Sequence, residues 1–135
     1  MFYEVTSKRF IVDAKGNDKE IAEKYLFENL EFFAEAEQKM YEHLNNENTV
    51  IAIKQCKIKE FVNGRSDDEE SIYYATIESI FINENSGEEK ATKYVVGLFA
   101  KSIDEANGIA NEYIAQSLAD LVLIGIKKTK IVDLI

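Results

Sequence analysis

A chain of 135 residues, 46% hydrophobic and 30% charged, is long enough to bury a core and too apolar to remain disordered. Its formal net charge of -9 opposes generic binding to duplex DNA, which would repel it at long range. One cysteine and one histidine leave no internal disulfide, no zinc cluster and no evident nucleophile–base pair.

In chain order, residues 2–14 alternate in part between apolar and polar and read as a strand. It meets Gly16 and Asn17, which supply the geometry of a hairpin turn, and residues 21–30 return. Phe33, Ala36, Met40 and Leu44 recur at three- and four-residue steps, which predicts a helix with one apolar stripe. Phe32 stands where a polar cap would start it. Residues 49–62 read as a third strand. Residues 63–70, Asn-Gly-Arg-Ser-Asp-Asp-Glu-Glu, form an acidic linker expected to be the least ordered stretch. Residues 71–82, rich in β-branched and aromatic side chains, turn at Gly87 and return over 91–100. Ser102-Ile103-Asp104-Glu105 is a capping-box pattern, followed by a stripe of Ile103, Ala106, Ile109/Ala110, Tyr113/Ile114 and Leu118. Residues 121–135 close the chain as a last strand. No apolar run reaches the roughly 18–20 residues of a membrane span. The opening Met1-Phe2-Tyr3-Glu4-Val5 lacks a signal-peptide pattern, so a cytoplasmic location is expected.

The two halves echo each other. Ile53-Lys54, Lys57-Ile58 and the acid at Glu60 recur 73 positions later as Ile126-Lys127, Lys130-Ile131 and Asp133. Glu35-Ala36 matches Glu105-Ala106, Tyr25 matches Tyr94, and Gly16 matches Gly87, with offsets that drift as loop lengths would require. The expectation is a single α+β domain over 1–135, built from two β-β-α-β repeats (1–62 and 71–135) joined by the linker 63–70. Six mainly antiparallel strands would carry two helices on one face about a pseudo-twofold axis. The pattern leaves open whether the strands make one sheet or two sheets of three.

Certain stretches also resemble a known family: Tyr25-Leu26, Phe33-Ala34-Glu35-Ala36-Glu37, Asn85-Ser86-Gly87-Glu88-Glu89-Lys90 and Thr129-Lys130-Ile131-Val132-Asp133-Leu134. Over nearly its whole length the chain resembles the uncharacterised family known from Bacteroidales genomes and their phages as domain of unknown function 4494. The resemblance implies a phage or bacterial setting and no assigned activity. Phe32 departs from the small polar residue expected at the first helix start.

Candidate chemistry rests on repeated cations. Lys54, Lys57 and Lys59 fall in one repeat, and Lys127, Lys128 and Lys130 in the other. A twofold axis would make symmetric pairs of Lys54 with Lys127 and of Lys57 with Lys130, suited to a ligand with phosphates on both sides. The plainer reading is solvated lysines that blunt a sheet edge. Tyr3, Phe10, Tyr73, Tyr74 and Phe81 fall on hairpin strands, where about half must face the helices. One of the adjacent pair Tyr73 and Tyr74 should point away from the core and offer a stacking platform. His43, at the edge of the helical stripe, reads as structural. Cys56, although lysines beside it favour a thiolate, reads as a small buried hydrophobe. The Asp67–Glu70 run lacks the spaced ligands of a calcium loop. No phosphate-binding Gly loop or nucleophile elbow is present.

The expected function is therefore non-enzymatic: a phage-type accessory protein that binds single-stranded nucleic acid or a small nucleotide. Lys54, Lys57, Lys127, Lys130, Tyr73 and Tyr74 would make the contacts, with no cofactor, metal or membrane. The alternative is an oligomeric interaction or anti-defence factor that grips a host protein through its acidic surface or an exposed strand edge. An enzyme working through carboxylates that no motif betrays is a third reading.

Overall fold

The computed structural model describes residues 1–135. The chain runs through β1 (Phe2–Val12), β2 (Asp18–Phe27), α1 (Phe33–His43), β3 (Thr49–Cys56) and β4 (Ile58–Phe61). It continues through β5 (Ser71–Ile82), β6 (Glu89–Ala100), α2 (Ile103–Ala115), β7 (Asp120–Lys128) and β8 (Ile131–Leu134). Two glycines set the hairpins. Gly16 and Gly87 have φ of 79° and 70°, a left-handed conformation open to glycine and strained for most side chains. Asp13 Oδ1 accepts from the amides of Lys15 and Asn17 at 2.9 Å each. Asn83 Oδ1 accepts from Asn85 N–H at 2.9 Å in the same place of the other turn.

The fold is α+β, and its contacts divide it into two units: Met1–Cys56 with Lys130–Ile135, and Lys57–Thr129. The first holds a sheet of order β3-β1-β2-β8. β1 pairs antiparallel with β2 and β3, while β8 runs parallel to β2. Tyr3, Val5, Tyr25, Phe27 and Leu30 pack with Ala36 and Met40 of α1 as its core. In the second unit the order is β4-β6-β5-β7. β5 pairs antiparallel with β6 and β7, and β4 runs parallel to β6. Tyr73, Ala75, Ile77, Val96 and Leu98 pack there with Ala106 and Ala110 of α2.

Eight strands in two four-stranded sheets replace the six expected. Each expected third strand is two: one breaks at Lys57, between β3 and β4, the other at Thr129–Lys130, between β7 and β8. After each break the chain leaves an antiparallel edge of one sheet and adds a parallel strand to the other. Alternation of side chains carries across such a break, so the sequence pattern hides it. At the second break, Thr129 N–H and Oγ1 both donate to Ile72 O, at 3.0 and 2.7 Å. Each helix covers one face of its own sheet.

Both outer antiparallel strands bulge at the same place. The β1–β3 register shifts between Thr6 and Ser7, skipping Ile51, and the β5–β7 register shifts between Thr76 and Ile77, skipping Ile124. Both isoleucines are about half exposed. A bulge twists an edge strand and spoils it as a template for another chain.

The helix starts follow the expectation. Ser102 Oγ accepts from Glu105 N–H at 3.1 Å, whereas Phe32 makes no side-chain cap. α1 is anchored instead by packing: Phe33 meets the edge of the Tyr3 ring at 5.2 Å, and Tyr3 OH donates to Glu31 O at 2.9 Å. No helix is long and apolar enough to cross a membrane.

The linker departs from expectation, because two of its four acids, Asp67 and Glu70, are held by hydrogen bonds rather than merely solvated. Glu70, 7% exposed, accepts from the amides of Ser66 at 2.6 Å and Asp67 at 2.9 Å. Arg65 donates to Glu70 O at 2.8 Å, and Asp67 pairs with Lys101 at 3.0 Å. The Ser66 amide above all holds the Glu70 carboxyl below its ordinary range. A depressed folded-state pKa adds stability at neutral pH that is lost as pH falls through it. Glu70→Gln is therefore expected to lower the melting temperature at neutral pH and to flatten its decline on acidification. A thermal-melt series matching the parent at every pH would contradict this.

Candidate functional site

The lysines singled out in the sequence are all exposed. Lys54 lies on β3 opposite Glu4, whose carboxylate is 3.7 Å from Lys24 Nζ. Lys57 falls between β3 and β4, and Lys130 between β7 and β8. Lys127 lies on β7, directly opposite Tyr74 on β5. Lys54 and Lys130 belong to the first unit, Lys57 and Lys127 to the second, so neither expected symmetric pair falls within one unit. Tyr73, 3% exposed, is core beneath α2 and has no ring face left for a ligand. Tyr74 is the member of the pair that points to the other face, where it is half-buried. The structure thus brings Lys127 and Tyr74 together and removes Tyr73 from any binding surface.

A more developed constellation lies in the second unit, in a concavity of about 400 Å³ lined by Lys59, Ser79, Tyr94, Tyr113, Gln116 and Ser117. The parallel pairing of β4 with β6 carries Lys59 beside Tyr94, with Nζ 4.3 Å from the ring centroid. That is the distance of a cation–π contact. α2 delivers Tyr113, whose hydroxyl donates to Glu60 Oε1 at 2.8 Å. Burial first, and then the bond to Glu60, pushes the Tyr113 phenol well up from its ordinary range. It therefore stays a protonated donor at neutral pH.

The first unit holds a matching group. Tyr25 meets the His43 ring edge-on at 4.8 Å, and its hydroxyl donates to Glu23 Oε2 at 3.3 Å. Glu23 in turn pairs with Arg9, and Asp133 is the cross-strand neighbour of Tyr25. Burial first, then the Glu23 charge, raises the Tyr25 phenol. Tyr25 and Tyr94, His43 and Tyr113, and Asp133 and Glu60 occupy the same places in the two element orders. His43 therefore has more polar company than its isolation in the sequence suggests.

Sequence reasoning had each member of the second-unit group in another role. Lys59 belonged to the basic run, Tyr94 marked the repeat and Tyr113 sat on the helical stripe. Only the exchange of β4 into the second sheet, which no local pattern announces, makes them neighbours. Cys56 is pushed up to about 11 by burial and by Glu4, against the weaker opposing effect of Lys54. Its thiol is protonated at neutral pH, in keeping with a packing role. No three His, Cys, Asp or Glu side chains gather as a metal site would require.

A family model described as Domain of unknown function (DUF4494) matches residues 1–135, and the chain belongs to that family. No curated protein matches it.

Proposed function

We propose that this member of the DUF4494 family is a non-catalytic accessory protein of phage type that holds a phosphate-bearing ligand in the host cytoplasm. The ligand is single-stranded nucleic acid or a small nucleotide. The observation that carries the reading is Lys59 over the Tyr94 ring, beside Tyr113, in a concavity of about 400 Å³. That volume falls in the range of small-molecule sites, roughly 300–1,000 Å³. An ammonium group serves a phosphate, and a tyrosine ring serves a base. Within the second unit, exposed Lys57 and Lys127, with Tyr74, extend the reading to a longer ligand; Lys54 and Lys130 fall in the first unit, and buried Tyr73 is withdrawn. The Bacteroidales or phage setting rests on the family resemblance alone. The matching strand orders and paired bulges support descent of the two halves from one duplicated unit.

Titration with mononucleotides and with a labelled single strand of about ten nucleotides tests the reading. Lys59→Glu is expected to weaken binding at least about tenfold with an unchanged melting temperature. Lys57→Glu combined with Lys127→Glu should weaken only the oligonucleotide. Affinities that survive all of these substitutions would remove the proposal. The alternative, an oligomeric factor gripping a host protein, draws on Val122 and Ile124 of β7, each nearly half exposed. Specific capture of one host protein that is lost in Val122→Lys would favour it.

A further inference from the structure

We infer that the chain forms a symmetric dimer with a second copy of itself through the outer edge of β7, about a twofold axis at the β7 bulge. β7 is an end strand of its sheet, and Val122 and Ile124 on it are 45% and 48% exposed. Asp120, Gly125 and Lys127 are exposed as well. The bulge does more than bend this edge. Asp120 and Val122 pair with Ile80 and Glu78, and Gly125 and Lys127, beyond the skipped Ile124, pair with Thr76 and Tyr74. All four of these β5 partners lie on the face opposite Tyr73, Ala75 and Ile77, which pack with α2. Without the extra residue Asp120 and Lys127 would fall on opposite faces. With it, one face of β7 reads acid, valine, glycine, lysine.

That row is complementary to itself. Turned end for end about the bulge, it sets Asp120 of each copy against Lys127 of the other, and Val122 against Gly125. Opposite charges across such a contact fix its register. A Cβ built at Gly125 meets nothing within 4 Å, so the glycine leaves a slot that Val122 of the other copy fills. Ile124 sits at the axis, where each copy covers the other's. A regular strand from another protein meets the bulge out of step, whereas a second copy brings the same bulge to the same place. In an isologous contact each pair occurs twice. The formal charge of -9 on each chain repels copies at long range, which holds the dimer to a dissociation constant on the order of micromolar.

Sedimentation velocity over a concentration series is the test. The parent is expected to pass from monomer to dimer at roughly micromolar concentration. Asp120→Lys sets lysine against lysine twice and should raise the dissociation constant at least about tenfold, as should Lys127→Asp. The double variant exchanges the two charges and should recover most of the loss. Gly125→Val, whose side chain enters open space in the single chain, should leave the melting temperature unchanged and abolish the dimer. A parent that stays monomeric up to about 100 μM, a dimer indifferent to Gly125→Val, or a double variant as weak as the single ones overturns the inference. A host protein held at this edge in place of a second copy overturns it as well.

Discussion

Asn63→Ala is expected to destabilise the protein by about 2–5 kcal/mol, a large share of a typical domain's stability. β4 ends at Phe61, and two residues later the Asn63 amide takes over its pairing with β6. Nδ2 donates to Phe99 O at 2.9 Å, and Phe99 N–H donates to Oδ1 at 2.7 Å. The side chain thus imitates one residue of a neighbouring strand. Phe99 is 2% exposed, so alanine leaves a backbone donor and a backbone acceptor buried together without partners. Asn63→Asp keeps the acceptor but sets a carboxylate oxygen against the Phe99 carbonyl, so it should fare little better at neutral pH. Protonation restores a donor, and the gap between Asn63→Asp and the parent should narrow on acidification. Denaturant midpoints at constant m-value measure the effect. A loss below about 0.5 kcal/mol, the range of an ordinary surface substitution, would mean that the clamp contributes nothing.

Gly97 is the second position where a small change should have a large effect. A Cβ built there would lie 2.5 Å from Phe61 Cζ and 2.6 Å from Cε1. The Phe61 ring lies across β6 at Gly97 and leans on Phe99, with centroids 5.5 Å apart. A glycine inside a strand often marks such a close approach. Gly97→Ala is expected to cost about 1–3 kcal/mol, and Gly97→Val the upper end or more, because the ring must leave or β4 must part from β6. Phe61→Ala removes the obstacle. In that background Gly97→Ala should become nearly neutral, giving a coupling above about 1 kcal/mol in a double-mutant cycle. Additive single effects would show that the two residues do not compete for the same space.

What the sequence makes legible is what local chemistry determines. The hairpin turns were readable from Gly16 and Gly87, the second helix start from Ser102 and Glu105, and the weak cap of the first from Phe32. Strand 71–82 coincides with β5 to the residue. The exchange of β4 and β8 was not readable. One residue without Gly or Pro separates β3 from β4, and alternation says which face a side chain takes but not which sheet it joins. The same blindness hid the Lys59–Tyr94–Tyr113 group, whose members come from three elements. It also favoured Tyr73, whose adjacency to Tyr74 showed that one ring must turn outward without telling which. The linker misled for a different reason: an acidic run reads as solvated, yet Glu70 is held by the Ser66 and Asp67 amides.

The parallel strand β8 also sets a schedule for synthesis. Lys24 of β2 finds its neighbour in Ile131, and Leu26 O accepts from Ile135 N–H at 2.8 Å. These partners leave the ribosome on the order of a hundred residues after β2, an interval of roughly 5–20 s at common elongation rates. Throughout it the rest of the first sheet can form, but the outer side of β2 at Lys24, Tyr25 and Leu26 stays uncovered. The nascent chain therefore carries a sticky strand edge for seconds, and a ribosome stalled within the second half would hold it open to chaperones.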